Sequence, residues 1–178
     1  MGTPQLEDLP HYTWNEYQLW EGHWELINGL PYAMSPAPNL RHQEISQQIS
    51  YQLVDTLKKC PHFKSFLPVD WKIADDTIVQ PDNSIVCGSV EGQCLTKAPM
   101  MIFEILSAST AKKDKTTKYK LYESNHVKYY CIVDPVDEKT YIFQLINKKY
   151  QELTRNDAVV TLDLGECEIS FNFNTIWD

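Results

Sequence analysis

Glu104 is the residue hardest to explain as packing. It stands inside Met100-Met101-Ile102-Phe103-Glu104-Ile105-Leu106, a run apolar on both faces, as in a central strand covered on each side. A carboxylate there costs several kcal/mol to desolvate unless a cation or hydrogen-bond donors meet it. Asp82, in Ile78-Val79-Gln80-Pro81-Asp82 and ahead of Ile85-Val86, is a second acid that could share such a site. It lies inside or beside a strand, where an unpaired Asp is disfavoured; a Pro-Asp dipeptide by itself is only a turn signal. Downstream, Lys112-Lys113-Asp114-Lys115-Thr116-Thr117-Lys118-Tyr119-Lys120 is strongly basic, and Lys115, Lys118 and Tyr122 share one helical face at i, i+3 and i+7. Two acids, a divalent ion and a lysine are what phosphodiester hydrolysis needs. The ion polarises the phosphate and acidifies a water, and the ammonium stabilises developing charge or helps to deprotonate the nucleophile. In the plainer reading, Glu104 sits at a strand end and pairs with a lysine of the next helix, while the other lysines form a solvated face.

The elements that must position these residues are legible in pattern. Thr13 with Glu16 is a capping-box signature for a short helix whose apolar side is Tyr17, Leu19 and Trp20. Asn28-Gly29 between His23-Trp24-Glu25-Leu26-Ile27 and Leu30-Pro31-Tyr32-Ala33-Met34 marks a hairpin, and Ser35-Pro36-Ala37-Pro38 breaks its second strand. Asn39 caps a helix running to about Lys59, with Ile45, Ile49, Leu53 and Leu57 as its stripe and Cys60-Pro61 as its end. Strand-like segments follow near 66–73 and 77–87, separated by Ala74-Asp75-Asp76. Ser107 to Thr110 offers caps for a basic helix from about 111 to 123. Lys128 to Val133 is a buried strand, and alternation resumes over 140–145, 150–153, 159–162 and 167–171. This order predicts an α/β fold, a mixed central sheet flanked by helices. Residues 1–11 read as a loosely ordered tail and 12–178 as a single domain.

Pro81-Asp82 followed by Glu104 in a hydrophobic strand resembles the PD-(D/E)XK nuclease superfamily. The wider pattern resembles one branch of it, the Uma family of restriction endonuclease-like proteins. The matching pieces are Tyr12 to Tyr17; Trp24 to Gly29; Met34 to Pro38 followed by His42; Pro81-Asp82; Phe103 to Thr110; Asp114 with Lys118 and Tyr122; and Val127 to Pro135. They run in order through roughly residues 12–145. The resemblance implies a restriction-endonuclease-like fold and metal-dependent hydrolysis of DNA with Mg²⁺ or Mn²⁺. It implies that Asp82 and Glu104 are the metal-binding acids and that Glu25 is an additional one. The superfamily's usual lysine, two residues after the Glu, is Leu106 here, so the strict E-x-K is absent and the resemblance points to Lys118 on the following helix. A long side chain can deliver its ammonium to one point from different backbone positions. His126 stands where the family usually has Gly. Glu25 has a plainer reading as an exposed acid beside a hairpin turn. His42, in the first turn of its helix, is either a capping or partly buried histidine or a group that positions water or contacts phosphate.

Composition narrows the partners. With 24 Asp+Glu against 16 Lys+Arg the net charge is -8, so any nucleic-acid contact must be local, because coating DNA needs excess Lys and Arg. The longest charge-free run falls far short of a membrane span, and the N-terminus carries no secretory signature, so the expectation is a cytoplasmic protein with no membrane partner. Five cysteines, odd in number and widely spaced without C-x-x-C, argue against a zinc site or disulfide framework. The competing functional class is a non-catalytic binding or assembly module that keeps the fold; an assembled Glu25/Asp82/Glu104/Lys118 cluster favours the enzyme. Because double-strand cleavage needs two centres, a homodimer is expected. Part of the aromatic set Tyr141, Phe143, Tyr150, Phe171, Phe173 and Trp177 is expected at its interface.

Overall fold

A computed structural model describes residues 9–34 and 38–178; the expected break at Ser35 to Ala37 and residues 1–8 of the expected tail lie outside them. His11 bonds Asp76 at 3.1 Å. Around α1 (Trp14–Tyr17) the N–H and hydroxyl of Thr13 both donate to Glu16 Oε2, at 2.7 and 3.0 Å. β1 (Trp24–Ile27) and β2 (Leu30–Ala33) join through Asn28 and Gly29 at φ 51 and 75, the positive values a tight hairpin turn needs. Asn39 caps α2 (Leu40–Thr56) by accepting the His42 N–H. The helix ends in a 3₁₀ turn, Leu57–Lys59, with Ile45, Ile49 and Leu53 fully buried. Each such side chain contributes about 1.5–3 kcal/mol.

The two strand-like segments expected near 66–73 and 77–87 are four strands: β3 (Phe63–Phe66), β4 (Trp71–Ala74), β5 (Thr77–Val79) and β6 (Asn83–Cys87). Pro68 and Pro81 stand in the two breaks, where a residue without an N–H cannot carry the ladder on. β7 (Met101–Ile105) follows, then α3 (Ala111–Lys113), a π-helical turn (Asp114–Lys118) and α4 (Tyr119–Ser124). The chain finishes with β8 (Tyr129–Asp134), β9 (Lys139–Ile146), β10 (Lys149–Glu152), β11 (Val159–Asp163) and β12 (Glu168–Asn172). Six strands order as β10-β9-β8-β7-β6-β3 and four as β2-β1-β5-β4, while β11 and β12 form a hairpin. The six-stranded sheet is mixed: β7 and β8 run parallel across the helical crossover, and their outer neighbours are antiparallel. Gln80-Pro81-Asp82 is where the chain leaves the smaller sheet for the larger.

Alternation along β7 and β8 divides the core. Met101, Phe103 and Ile105, with Tyr129, Cys131 and Val133, pack against α2 and the β11–β12 hairpin. Ile102 and Leu106, with Tyr130 and Ile132, pack against Ile27, Trp71 and Val79 of the smaller sheet and Tyr122 of α4. Helices flank the mixed sheet as expected, but on each face strands share the cover.

One expectation is narrowed by the structure and one is corrected. Phe171 and Phe173 are fully buried beside Phe103, at ring separations of 5.2 and 6.4 Å. Tyr150 is buried with its hydroxyl donating to the Val127 carbonyl at 2.9 Å. These three fill the chain's own core, Phe171 and Phe173 because the hairpin folds back onto the sheet and Tyr150 within the opposite layer, while Tyr141, Phe143 and Trp177 of the expected set stay half-buried. Cys60, at the end of the 3₁₀ turn, is disulfide-bonded to Cys167, in the β11–β12 turn, across 107 residues of sequence. The pairing follows from the hairpin docking beside α2, which residue spacing does not reveal.

Candidate active centre

The same alternation points Glu104 away from α2, into the second layer. It is 3% exposed, and its Oε1 accepts from Lys118 Nζ at 2.8 Å and from the Tyr122 hydroxyl at 2.6 Å. Lys118 is 2% exposed; its Nζ also lies 2.7 Å from Glu25 Oε1 and 3.7 Å from Asp114 Oδ1. Glu25 is fully buried on β1, and besides Lys118 it accepts the Gln80 N–H at 2.9 Å and the Lys113 ammonium. The exposed-acid reading of Glu25 is therefore excluded.

The π turn sets which residues share a face. An i→i+5 turn is wider than an α turn; Lys118 and Tyr122 reach Glu104, and Asp114 lies beside the Lys118 ammonium. The expected i, i+3, i+7 face is corrected at Lys115, which is exposed and 3.8 Å from Asp134. Lys113 and Lys118, five apart, reach the same carboxylate.

Asp82 sits at the sheet switch. The pairing Asn83↔Phe103 places Asp82 opposite Glu104, and its Oδ2 accepts the Ile105 N–H at 2.8 Å. His42 comes in from the first turn of α2, with Nε2 3.3 Å from the same oxygen. Thus Glu25, Glu104 and Lys118 are brought together directly, Asp82 faces Glu104, and His42 touches Asp82.

Burial dominates the electrostatics. It pushes the Glu104 carboxyl well above the ordinary range, with Asp114, Asp82 and Glu25 adding to the rise against the pull of Lys118. Glu25, equally buried, is instead held below its ordinary value because Lys118, Lys113 and the Gln80 N–H outweigh desolvation. Burial also raises Asp114. For Lys118 burial favours the neutral amine, but Glu104, Glu25 and Asp114 override it and keep the ammonium charged. His42 is raised: desolvation opposes its charge, and Asp82 with the Ile105 backbone wins.

Among the described residues, no three His, Cys, Asp or Glu side chains lie together closely enough to hold an ion by themselves. Asp82 and Glu104 nevertheless each keep one oxygen, Oδ1 and Oε2, that receives no hydrogen bond among the described residues. Two carboxylates completed by waters and substrate phosphate make up a usual Mg²⁺ set, so these residues fit a magnesium-like ion and not a fully protein-ligated one. Glu25 differs: both its oxygens are taken by lysines and an N–H.

Sequence reasoning missed the roles of Lys113 and Gln80. The five-residue spacing of Lys113 and Lys118 carries a signal only once a π turn is assumed; the backbone donor at Gln80 leaves none.

A family model described as "Uma2: Putative restriction endonuclease" matches residues 14–173. The sequence matches no curated protein. In fold the chain is similar to the crystal structure of "a putative nuclease belonging to DUF820" from Anabaena variabilis, with a TM-score of 0.75 at 17% identity, over 93% of this chain and 97% of that one. At that identity the likeness speaks for the fold.

Proposed function

The chain belongs to the Uma2 family, and from that premise we propose that it is a Mg²⁺- or Mn²⁺-dependent endonuclease hydrolysing DNA phosphodiester bonds. The observation that carries this reading is one buried ammonium, Lys118, held between the buried carboxylates of Glu25 and Glu104, with Asp82 across from Glu104. Asp82 Oδ1 and Glu104 Oε2 would hold the ion, which supplies phosphate polarisation and a more acidic water. Lys118 stabilises charge developing beside Glu104. Glu25 positions Lys118 and Lys113, and Tyr122 fixes the Glu104 rotamer through Oε1. His42 orients the Asp82 carboxylate and, being biased toward its protonated form, offers a proton donor beside it. Two copies, one per strand, would cut a duplex; with Phe171 and Phe173 committed to the core, the pairing surface lies elsewhere, and light scattering should give the mass of two chains.

The test is thermal. An ion held by Asp82 Oδ1 and Glu104 Oε2 binds the folded chain alone, so Mg²⁺ or Mn²⁺ should raise the wild-type Tm, and Asp82→Ala should abolish both that rise and plasmid cleavage. An equal rise in both proteins would overturn the assignment.

A further inference from the structure

A cavity of about 320 Å³ opens beside the acidic centre, walled by Trp14, Tyr17, Trp20, Trp24, Asp70 and Gln80. It shares two residues' worth of structure with that centre: Trp24 precedes Glu25 on β1, and Gln80 donates its N–H to Glu25. Gln80 is two residues from Asp82, a span of at most about 7 Å. The four aromatic residues form a connected set. Trp14 lies on Tyr17 at 5.7 Å and 20°, Tyr17 meets Trp20 at 5.5 Å, and Trp20 meets Trp24 at 5.7 Å. Packing does not use them up: α1 contains no buried residue, and all four rings remain half-buried.

The Asp70–Gln80 edge of the cavity is built from fixed side chains. Asp70 Oδ1 accepts from the Tyr17 hydroxyl and from Gln80 Nε2, each at 3.0 Å, which fixes all three side chains. Among the described residues, Asp70 Oδ2 and Gln80 Oε1 receive no hydrogen bond. At the Asp70–Gln80 edge the free capacity is acceptor capacity, beside aromatic faces, while Gln18, His23 and Gln93 also line the cavity.

We propose that this cavity is a nucleobase subsite, taking a base unstacked from the strand being cut, guanine foremost. The proposal rests on the nuclease reading and adds sequence preference to it. Guanine offers two adjacent N–H donors, which the two free acceptors, Asp70 Oδ2 and Gln80 Oε1, would take as a pair. Thymine offers one N–H between two carbonyls, which a carboxylate repels. Stacking on aromatic rings also gives a chain of net charge -8 a grip that does not depend on coating phosphates.

Fluorescence anisotropy in EDTA, on a short labelled oligothymidylate carrying one central guanine, thymine or abasic site, tests the subsite apart from cleavage. The wild type should bind the guanine strand most tightly and the abasic strand least. Trp20→Ala should weaken guanine-strand binding at least about fivefold and leave the abasic strand unchanged. Asp70→Asn, which keeps an acceptor for Tyr17 and Gln80, should collapse the guanine-over-thymine ratio without changing abasic binding. Equal wild-type affinity for all three strands overturns the proposal and leaves the rings to dock α1. Cleavage in Mg²⁺, measured separately, divides the outcomes. A protein that cuts without discriminating loses the subsite alone, and one that discriminates without cutting loses the nuclease reading alone.

Discussion

On one face of β7, Met101, Phe103 and Ile105 meet α2 and the β11–β12 hairpin through hydrocarbon and aromatic contacts, closed off by the Cys60–Cys167 bridge. On the other face, between Ile102 and Leu106, Glu104 meets Lys118 and Tyr122, with Glu25, Lys113 and Asp114 behind them. The two faces belong to the same five residues and are equally buried. The apolar face gains stability from every group it removes from water. The charged face must offset the desolvation of several ions, and a buried ion network of this kind is weak evidence for stability. Its cost is understandable if the network serves chemistry, and substitutions on the two faces should separate stability from activity.

The largest expected effects come from Lys118→Ala and Phe171→Ala. Removing Lys118 leaves Glu104 with only the Tyr122 hydroxyl and strips Glu25 of one lysine, a loss of about 3–5 kcal/mol for a broken buried pair. Its metal-dependent cleavage should fall by at least about 10²-fold even where the protein is folded. Phe171→Ala should cost a comparable ~3–5 kcal/mol through the cavity it leaves, yet the folded molecules should cut at the wild-type rate. Urea unfolding paired with plasmid cleavage below each Tm measures both. A Lys118→Ala protein that cuts normally, or a folded Phe171→Ala protein that does not, would erase the division.

How far each face could be read from sequence follows the same line. The apolar face announces itself by period: Ile45, Ile49 and Leu53 are all fully buried, and the hairpin turn at Asn28-Gly29 has the predicted backbone. The acids were legible because a carboxylate in an apolar strand is anomalous, and Glu104 does require the cation it meets. What stayed hidden depends on long-range closure. The Cys60–Cys167 bridge and the burial of Phe171 arise from a hairpin folding back over the sheet, and nothing local encodes that. Lys113 was hidden by the π turn, since α-helical spacing puts Lys115, not Lys113, on the face of Lys118 and Tyr122. Gln80 acts through its backbone, which has no residue signature.

The charged face should also shape the pH dependence of stability in EDTA. Glu25 is held below its ordinary value near 4.5, so the stability it contributes is present above that pH and is lost as pH falls through its folded value. Glu104 is pushed above 4.5, so the folded state binds its proton more tightly than the unfolded chain does. Stability therefore declines as pH rises through the raised folded value, with a slope of up to about 1.4 kcal/mol per pH unit for one proton. Glu104→Gln, uncharged at every pH, should flatten that alkaline decline and leave the acid limb in place; Glu25→Gln should flatten the acid limb. Thermal melts across pH 4 to 9 compare the three proteins. A Glu104→Gln profile that parallels the wild type would mean that Glu104 is ionised throughout.

The smallest effect is expected at Lys113, and it asks whether Glu25 needs both lysines. The Lys113 side chain is 14% exposed and its ammonium also lies 5.3 Å from the Tyr32 ring centroid, so water can replace part of what it gives. Lys113→Ala leaves Glu25 with Lys118 and the Gln80 N–H, and the stability loss should be about 1 kcal/mol. If Glu25 serves to hold Lys118 in place, losing the second lysine draws the Lys118 ammonium further toward Glu25 and away from Glu104. Cleavage should then drop roughly tenfold, about 1.4 kcal/mol of transition-state stabilisation. Lys113→Arg should recover most of it, because the charge is restored at the same end of Glu25. A Lys113→Ala protein that loses stability but no activity would assign Lys113 to solvating a buried acid, and Lys118 alone to the chemistry.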